Sequence, residues 1–192
     1  PKNVNFKYFR KKKSPTIVKK RFLDNISLNK VLGVYSINDD LLSSTQEKKF
    51  INLIKKFISF HDLVIVSDYG HGLISKKISK IISNSSKYVA LNDQINASNV
   101  GYHTMKNYKN IDCVIINQKE LQHEMRDRNS KIEILMNKLS SQQKIKDLVV
   151  TRGIDGSLLY NKEMNKFKEI LIQVWHHKCT GQPKKHSKIM LN

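Results

Sequence analysis

A chain of 192 residues is long enough for one domain or a piece of a larger one, and a hydrophobic content of 39% permits a substantial core. No apolar run approaches the roughly 20 residues of a transmembrane helix, and the start, PKNVNFKYFRKKK, has neither a signal-peptide core nor an initiator methionine. The net charge of +19 favours anionic partners, but only five of the 35 basic residues are Arg, the side chain that base readout favours.

The first third of the chain predicts two strands and a helix. The strands cover 16–23 and 30–39, and we expect them to form a hairpin through 24–29, with Gly33 as a candidate bulge. Further on, apolar residues recur at spacings of three and four, which predicts an amphipathic helix over about 45–60. The two strands form a small accessory N-terminal β-element.

Strands and helices then alternate, which is typical of βαβ units. The predicted fold class is therefore α/β, a parallel sheet that is mixed at one edge and sandwiched by helices. The run DLVIVSD is apolar enough for a strand buried on both faces. The predicted strands are 62–68, 87–93, 110–117, 145–153 and the antiparallel 156–161, and the helices are 74–84, one from 118, and 130–143 as its continuation or a second helix.

The chain divides into a basic segment over 1–13, one domain over 14–174 and a tail over 175–192. The tail has no apolar period, so we expect disorder or sequence foreign to the fold. Its metal-ligand residues do not match zinc spacings; they are His176, His177, Cys179 and His186. The two cysteines do not suggest a disulfide framework, and with no signal peptide this predicts a cytoplasmic protein.

Polar residues collect where four predicted strands end. The segments are SDYGHG (67–72), LNDQINASNVGYH (91–103), INQKE (116–120) and TRGIDG (151–156). Ligands bind at the carboxyl ends of strands in open α/β sheets, and glycine lets the backbone come close to them. Each group also has a structural interpretation: Asp68 as a helix N-cap, His71 as a turn residue, Asn117 with Glu120 as a capping box, and Gly153 with Gly156 as hairpin-turn glycines.

Three of these segments carry a family resemblance. VSDYGHGLIS, INQKEL and LVVTRGIDGSLLY, in this order, resemble the ribokinase-like (PfkB) carbohydrate kinases, and most of all the heptose-phosphate kinase domain of lipopolysaccharide precursor synthesis. SPTIVKKRFLD resembles the segment before the body of that domain, so the likeness covers about residues 14–172. It implies a ribokinase-like fold that transfers phosphate from ATP, with Mg²⁺, to a sugar or sugar phosphate.

The resemblance also implies roles for individual residues. On the nucleotide side are Thr151, Arg152, Gly153 and Gly156. Asn117 and Glu120 look like the family's N-x-x-E pair, which holds Mg²⁺ and the ATP phosphates largely through water. Beside the sugar are Asp68, Tyr69, Gly70 and His71, with His71 in place of the usual Lys, so that its charge depends on pH. The candidates for the substrate phosphate are Lys19, Lys20 and Arg21.

The chain departs from the family in three places. Asn92, Asp93 and Gln94 stand where Asp-Pro-Lys is usual, which indicates a subfamily with its own sugar, contacted by Asn92, Asn96, Asn99 and His103. The N-terminal Gly-Gly substrate motif is not seen, so we expect the chain to begin late. The catalytic Gly-Ala-Gly-Asp is also missing: the corresponding region reads HKCTGQPKKHSKIMLN, with Thr180-Gly181 as a candidate remnant.

That third departure predicts little or no turnover. In the family this motif supplies the catalytic base and the anion hole, and phosphoryl transfer depends on both. The abrupt change near Trp175 indicates truncation or a shifted reading frame. Two alternatives stay open: a non-catalytic fold that binds nucleotide or a partner, and a basic nucleic-acid-binding domain. The expected partner is a sugar or sugar phosphate, with no specific nucleic acid and no membrane, and a homodimer is an open alternative.

Overall fold

The computed structural model describes residues 3–95, 99 and 103–170. Strands β1 (Val18–Leu23) and β2 (Lys30–Ser36) form an antiparallel hairpin separate from the main sheet, as predicted for the accessory element. The carboxylate of Asp24 accepts hydrogen bonds from the backbone N–H groups of the turn. Gly33 is in register opposite Arg21, and the irregularity lies at the end of β1, so the predicted bulge at Gly33 is wrong.

The main sheet has six strands in sequence order. They are β3 (Leu63–Asp68), β4 (Tyr88–Asp93), β5 (Cys113–Asn117), β6 (Asp147–Thr151), β7 (Ser157–Asn161) and β8 (Lys166–Ile170). The first four run parallel, and the last two add antiparallel pairings at one edge. This confirms the predicted mixed α/β sheet. The strand β8 was not predicted, because its five residues are all exposed and KFKEI lacks an apolar run.

The helices are α1 (Ser44–Ser59), α2 (Lys76–Ser83), α3 (Gln118–Met125) and α4 (Ile132–Gln143), with short 3₁₀ turns at Met105–Asn107 and Gly153–Asp155. Helices α3 and α4 are separate because Arg126 adopts the left-handed conformation at φ +52°. The carboxylate of Asp127 then accepts hydrogen bonds from the backbone of Asn129 and Ser130, which holds the turn. Within the described ranges, no helix combines the length and the apolar character needed to cross a membrane.

The core lies between the main sheet and its helices. Its fully buried members come from β4, β5, β6, the helices and the loop after β4; they include Val89, Leu91, Val114, Leu148, Leu121, Leu135, Met136, Ile78 and Tyr108. The edge strand β3 is buried on one face only: Val66 belongs to the core, whereas Ile65 is 73% exposed. The prediction that β3 is buried on both faces is therefore wrong.

Candidate functional site

The carboxyl ends of β3, β4, β5 and β6 lie at one edge of the sheet. Asp68 is in register with Asp93, and Asn117 is in register with Thr151. Neighbouring strands are about 4.8 Å apart, so these ends span about 14 Å. The topology therefore brings the four polar segments to a common edge, the arrangement in which open α/β sheets bind ligands.

Asp68 is a buried carboxylate at the end of β3. Its Oδ1 accepts a hydrogen bond from the Gly70 N–H at 2.9 Å, and its Oδ2 accepts one from the Tyr108 hydroxyl at 2.7 Å. Burial and the adjacent Asp68 carboxylate raise the pKa of Tyr108 above its ordinary value. The N-cap of α2 is Ser75, whose hydroxyl accepts from Ile78 N, so Asp68 is not a helix cap.

The Gly-His-Gly turn is clamped between two neighbouring loops. Gly70 and Gly72 have φ of +66° and +75°, and a Cβ on Gly70 would lie 2.6 Å from the His103 ring. A Cβ on Gly72 would lie 2.5 Å from the carbonyl oxygen of Asp39. His71, between them, places Nδ1 2.8 Å from Asp39 Oδ1. Both glycines therefore permit close backbone approach as well as a positive φ.

A cleft of about 430 Å³ lies between this turn and the accessory sheet. Asp68, Tyr69 and His71 line it together with Lys19 of β1, whose Nζ lies 5.5 Å from the centre of the Tyr69 ring. Lys20 points to the opposite face of the hairpin, because side chains alternate along a strand. Of the three basic residues predicted from the sequence for the substrate phosphate, Lys19 is thus the one that lines this cleft.

Arg21 lies two residues beyond Lys19 on the same face of the hairpin, and Lys19 Nζ lies 5.9 Å from the centre of the Tyr35 ring. Arg21 and Lys30 lie near the Tyr35 hydroxyl, and Lys30 Nζ donates to this hydroxyl at 3.0 Å. The hydrogen bond from Lys30 and the positive charges of both groups lower the pKa of Tyr35. Arg21 therefore joins Lys19 and Lys30 in a basic group around Tyr35.

The segment after β4 is tied to its surroundings by amide hydrogen bonds. The Nδ2 of Asn92 donates to Ile115 O at 2.9 Å, and that of Asn99 donates to the carbonyl oxygens of Tyr69 and Gln94 at 2.9 and 2.8 Å. Both side chains therefore join backbone segments at the sheet edge. Asn96 lies outside the described residues.

His103 sits over the ends of β3 and β4. Its Nε2 lies 2.5 Å from Asp93 Oδ1 and 3.9 Å from Asp68 Oδ2. Burial disfavours the imidazolium, but contact with Asp93 and the charges of Asp68 and Glu124 outweigh burial and raise the pKa of His103. Burial also raises the pKa of Asp93, against the opposing effect of His103.

Asn117 and Glu120 form a reciprocal capping box at the start of α3. Asn117 Oδ1 accepts from Glu120 N at 2.9 Å, and Glu120 Oε2 accepts from Asn117 N at 2.7 Å. The capping interpretation made from the sequence is thereby confirmed. Burial raises the pKa of the Glu120 carboxyl, although hydrogen bonds from the backbone of Asn117 and Ile95 favour its ionised form.

The segment after β6 is a hairpin turn into β7. Arg152 N donates to Gly156 O at 2.7 Å, and both Gly153 and Gly156 have positive φ, so the hairpin-turn interpretation is also confirmed. Arg152 Nη2 donates to Asp155 O and to Glu169 Oε1, while Thr151 Oγ1 lies 3.5 Å from the carbonyl oxygen of the neighbouring strand β5. Apart from the chain neighbours of Gly153, no atom of the residues that the structure describes lies within 4 Å of the position of a Cβ at Gly153, which leaves this side of the turn open to a ligand.

Sequence reasoning did not select Asp93, Tyr108 or Glu124, all three of which are buried at or beside this edge. Glu124 accepts hydrogen bonds from the Thr104 hydroxyl at 2.9 Å and from Met105 N at 3.2 Å. A signal for Asp93 existed, because it ends its strand as Asp68 does. Tyr108 and Glu124 carry no such signal, because they approach the site from a loop and a helix face.

Comparisons with known proteins agree in fold. No family model matches the sequence. Ribokinase from Giardia lamblia aligns with 86% of this chain at a TM-score of 0.62 and 15% identity. Ribokinase from Thermotoga maritima aligns with 84% of this chain at a TM-score of 0.60 and 15% identity. The chain has the ribokinase-like fold.

Further matches fit the same fold. Phosphofructokinase-2 from Escherichia coli aligns with 73% of the chain at a TM-score of 0.55 and 15% identity. The bifunctional protein HldE of a Nitratiruptor species is 22% identical over 171 residues, which are 88% of this chain and 35% of that protein. This chain spans about half of the length of the solved structures: 51% of the Giardia ribokinase, 50% of the Thermotoga ribokinase and 46% of phosphofructokinase-2. The resemblance predicted from the sequence is confirmed at the level of the fold.

Proposed function

We propose that this chain is part of an ATP-dependent carbohydrate kinase that phosphorylates a sugar or sugar phosphate, with a heptose phosphate as the first substrate to test. One observation carries the proposal: four parallel strands bring their polar ends to one edge, beside a cleft that a basic hairpin closes. The similarity to HldE supports the choice of substrate. The proposed kinase segment is 14–174.

The cleft beside β3 is the proposed sugar site. Its volume of about 430 Å³ lies within the range of small-ligand pockets. The Tyr69 ring offers a face for the sugar, Asp68 and His71 offer polar contacts, and the Lys19 ammonium attracts the phosphate of a sugar phosphate. Asn92, Asn96, Asn99 and His103 are proposed to shape the loop that selects the sugar.

The ends of β5 and β6 form the proposed nucleotide side. The Glu120 carboxyl is anchored by the backbone N–H of Asn117 and can accept hydrogen bonds from the water shell that Mg²⁺ keeps. The turn at Gly153 leaves its backbone open to a phosphate. Bound Mg²⁺ and ATP would supply the transferable phosphoryl group and neutralise its charge. The residues proposed for this side are Asn117, Glu120, Thr151, Arg152, Gly153 and Gly156.

We further propose that the chain as given has little or no turnover. Its 192 residues contain no Gly-Ala-Gly-Asp, so neither the family's base nor its anion hole is identified in the sequence. The same observation favours the second candidate function, a non-catalytic fold that binds nucleotide or a partner.

Thermal stability and ADP release distinguish these functions. We expect Mg²⁺-ATP to raise Tm, with ADP release near background for heptose 7-phosphate. A version that carries an intact Gly-Ala-Gly-Asp should release ADP in proportion to the sugar phosphate. Nucleotide stabilisation without turnover in that version, across a broad sugar panel, favours the binding fold. Turnover by the chain as given would contradict the predicted inactivity. The absence of both nucleotide stabilisation and turnover would overturn the kinase proposal.

A pair of lysine variants tests the sugar-phosphate side. Lys19→Ala should raise the apparent Kd for heptose 7-phosphate, measured from thermal stabilisation, at least tenfold, because Lys19 lines the cleft. Lys20→Ala removes the same charge from the opposite face of the hairpin and should leave the Kd unchanged. Equal losses in both variants would show a general charge effect, and steeply salt-dependent binding to duplex DNA would support the nucleic-acid alternative.

A further inference from the structure

The carboxylates near the ends of β3 and β4 outnumber their cationic partners. Asp68, Asp93, Glu120 and Glu124 are all buried, and Asp93 is only 2% exposed. Among the described residues, His103 is the only cationic side chain within ion-pair distance of Asp68 or Asp93. Buried carboxylates are costly unless they are paired, protonated or bound to a metal. Although the chain has a net charge of +19, no lysine or arginine within residues 3–95, 99 and 103–170 forms an ion pair with these two aspartates.

Asp93 and His103 carry buried polar atoms that hydrogen bonds do not satisfy. Both carboxylate oxygens of Asp93 and the Nε2 of His103 are shielded from solvent and have no hydrogen bond of acceptable geometry. The 2.5 Å contact between Asp93 Oδ1 and His103 Nε2 is therefore close without the alignment that a hydrogen bond requires. Asp93 Oδ1 and His103 Nε2 still form an ion pair, but Asp93 Oδ2 has no hydrogen-bond partner. A buried acceptor without a donor costs about 1–3 kcal/mol, so this oxygen points to a further ligand.

The three side chains have the spacing of a metal centre. One ligand atom each from Asp68, Asp93 and His103 can be chosen so that all three lie within 4.8 Å of one another. Metal–ligand bonds of about 2.0–2.2 Å place two ligand atoms at most about 4.4 Å apart. Side-chain movements of a few tenths of an ångström would bring the oxygens and nitrogen to that range and would open the short Asp93–His103 contact.

Neighbouring groups already orient these ligands. Tyr108 and the Gly70 N–H each donate to one oxygen of Asp68, and His103 N donates to Asn99 O at 3.0 Å. The missing side chain of Gly70 makes room for the His103 ring. Hydrogen bonds of this kind, between a ligand residue and groups that do not contact the ion, fix the geometry of metal ligands in proteins.

We propose that Asp68, Asp93 and His103 bind one divalent first-row transition-metal ion, with Mn²⁺ as the probe. Two carboxylates and one imidazole suit such an ion better than they suit Mg²⁺, which prefers an all-oxygen shell. The ion joins the turn after β3 to the loop that carries His103. This site differs from the proposed nucleotide-linked Mg²⁺ position at Glu120, and the inference does not depend on the kinase proposal.

Mn²⁺ titration without nucleotide or sugar tests the site, with bound ion counted by electron paramagnetic resonance. The metal ligands of the tail are removed first, as His176→Gln, His177→Gln, Cys179→Ser and His186→Gln in the full chain. We expect one equivalent of bound Mn²⁺ and a rise in Tm. His103→Gln and Asp93→Asn should each weaken binding at least tenfold, whereas His123→Gln, which removes an exposed imidazole outside the cluster, should leave it unchanged.

Two results would overturn the inference: no saturable binding below millimolar Mn²⁺, or equal affinity in wild type and His103→Gln. If Asp93→Asn fails to fold, the NMR signals of the histidine rings in the wild-type protein show whether Mn²⁺ binds beside His103. Sub-stoichiometric Mn²⁺ should broaden the His103 ring resonances before those of His61 and His123, which lie outside the cluster. Uniform broadening of all three would contradict the proposal.

Discussion

At the scale of single residues, two glycines explain why a buried strand ends in a Gly-His-Gly turn. Gly70 and Gly72 both have positive φ, and each lies against a neighbouring loop where a Cβ would collide. His71 is held between them by Asp39, so the turn joins the accessory element to the main sheet. The turn is therefore a packing junction as well as part of the proposed sugar site.

We predict that Gly72→Ala destabilises the protein much more than Gly153→Ala. Both have similar φ, +75° and +64°, so alanine at either position costs about 1–2 kcal/mol for the left-handed backbone. Only Gly72 faces backbone atoms of Asp39 and Asp40, which adds about 1–3 kcal/mol of overpacking. Urea unfolding measures both changes. Equal losses would mean that the contact with the 39–40 backbone is not tight.

At the scale of elements, the start of α3 combines two tasks. The Asn117–Glu120 pair caps the helix, and the same pair is proposed to serve Mg²⁺-ATP. Capping alone accounts for the spacing of these residues, so the family motif and the local helix signal coincide. A variant that keeps the cap hydrogen bond but replaces the amide of Asn117 separates helix capping from the proposed binding of Mg²⁺-ATP.

We predict that Asn117→Ala lowers the free energy of unfolding by about 1 kcal/mol, because the cap hydrogen bond to Glu120 N is lost. Asn117→Ser should restore most of this loss, since Ser is also a good cap. Under the kinase proposal, nucleotide stabilisation stays reduced in both variants. Urea unfolding with and without Mg²⁺-ATP measures this, and full recovery of nucleotide stabilisation by Ser would assign Asn117 to capping alone.

At the scale of the whole molecule, the accessory hairpin exposes apolar side chains on the face away from the cleft. Strand alternation places Val18, Phe22, Leu32 and Val34 on this outer face, and each is about half exposed. A two-stranded hairpin is marginally stable by itself, so covering this face would stabilise it. The exposed face favours the homodimer that the sequence left as an open alternative.

We predict that the protein dimerises through this outer face and that Phe22→Lys weakens the dimer at least tenfold in Kd, because it places a charge among apolar side chains. Ile26→Lys changes a residue at the hairpin tip, 94% exposed, and should leave the dimer intact. Light scattering after size exclusion measures both. A wild-type monomer at all concentrations, or equal weakening by the two variants, would contradict the prediction.

Much of the fold could be predicted because it depends on local patterns. The apolar spacing in α1, the runs in β4 and β6 and the Asn117-x-x-Glu120 cap are readable over a few residues. The strand β8 was missed because its residues are exposed and carry little apolar signal. The error about β3 has another cause, since burial of a strand depends on what packs against it, and Ile65 faces outward at a sheet edge.

The sequence by itself determined the order of the strands as far as β7, the parallel sheet and hence the edge at which the polar strand ends meet. Only the tertiary structure decided that Tyr108 donates to Asp68 and that His103 lies on Asp93. Hydrophobic periodicity and capping act between residues a few positions apart, so one segment contains them. The contact between Asp68 and Tyr108 joins residues 40 positions apart and exists only once the loops have packed against the sheet.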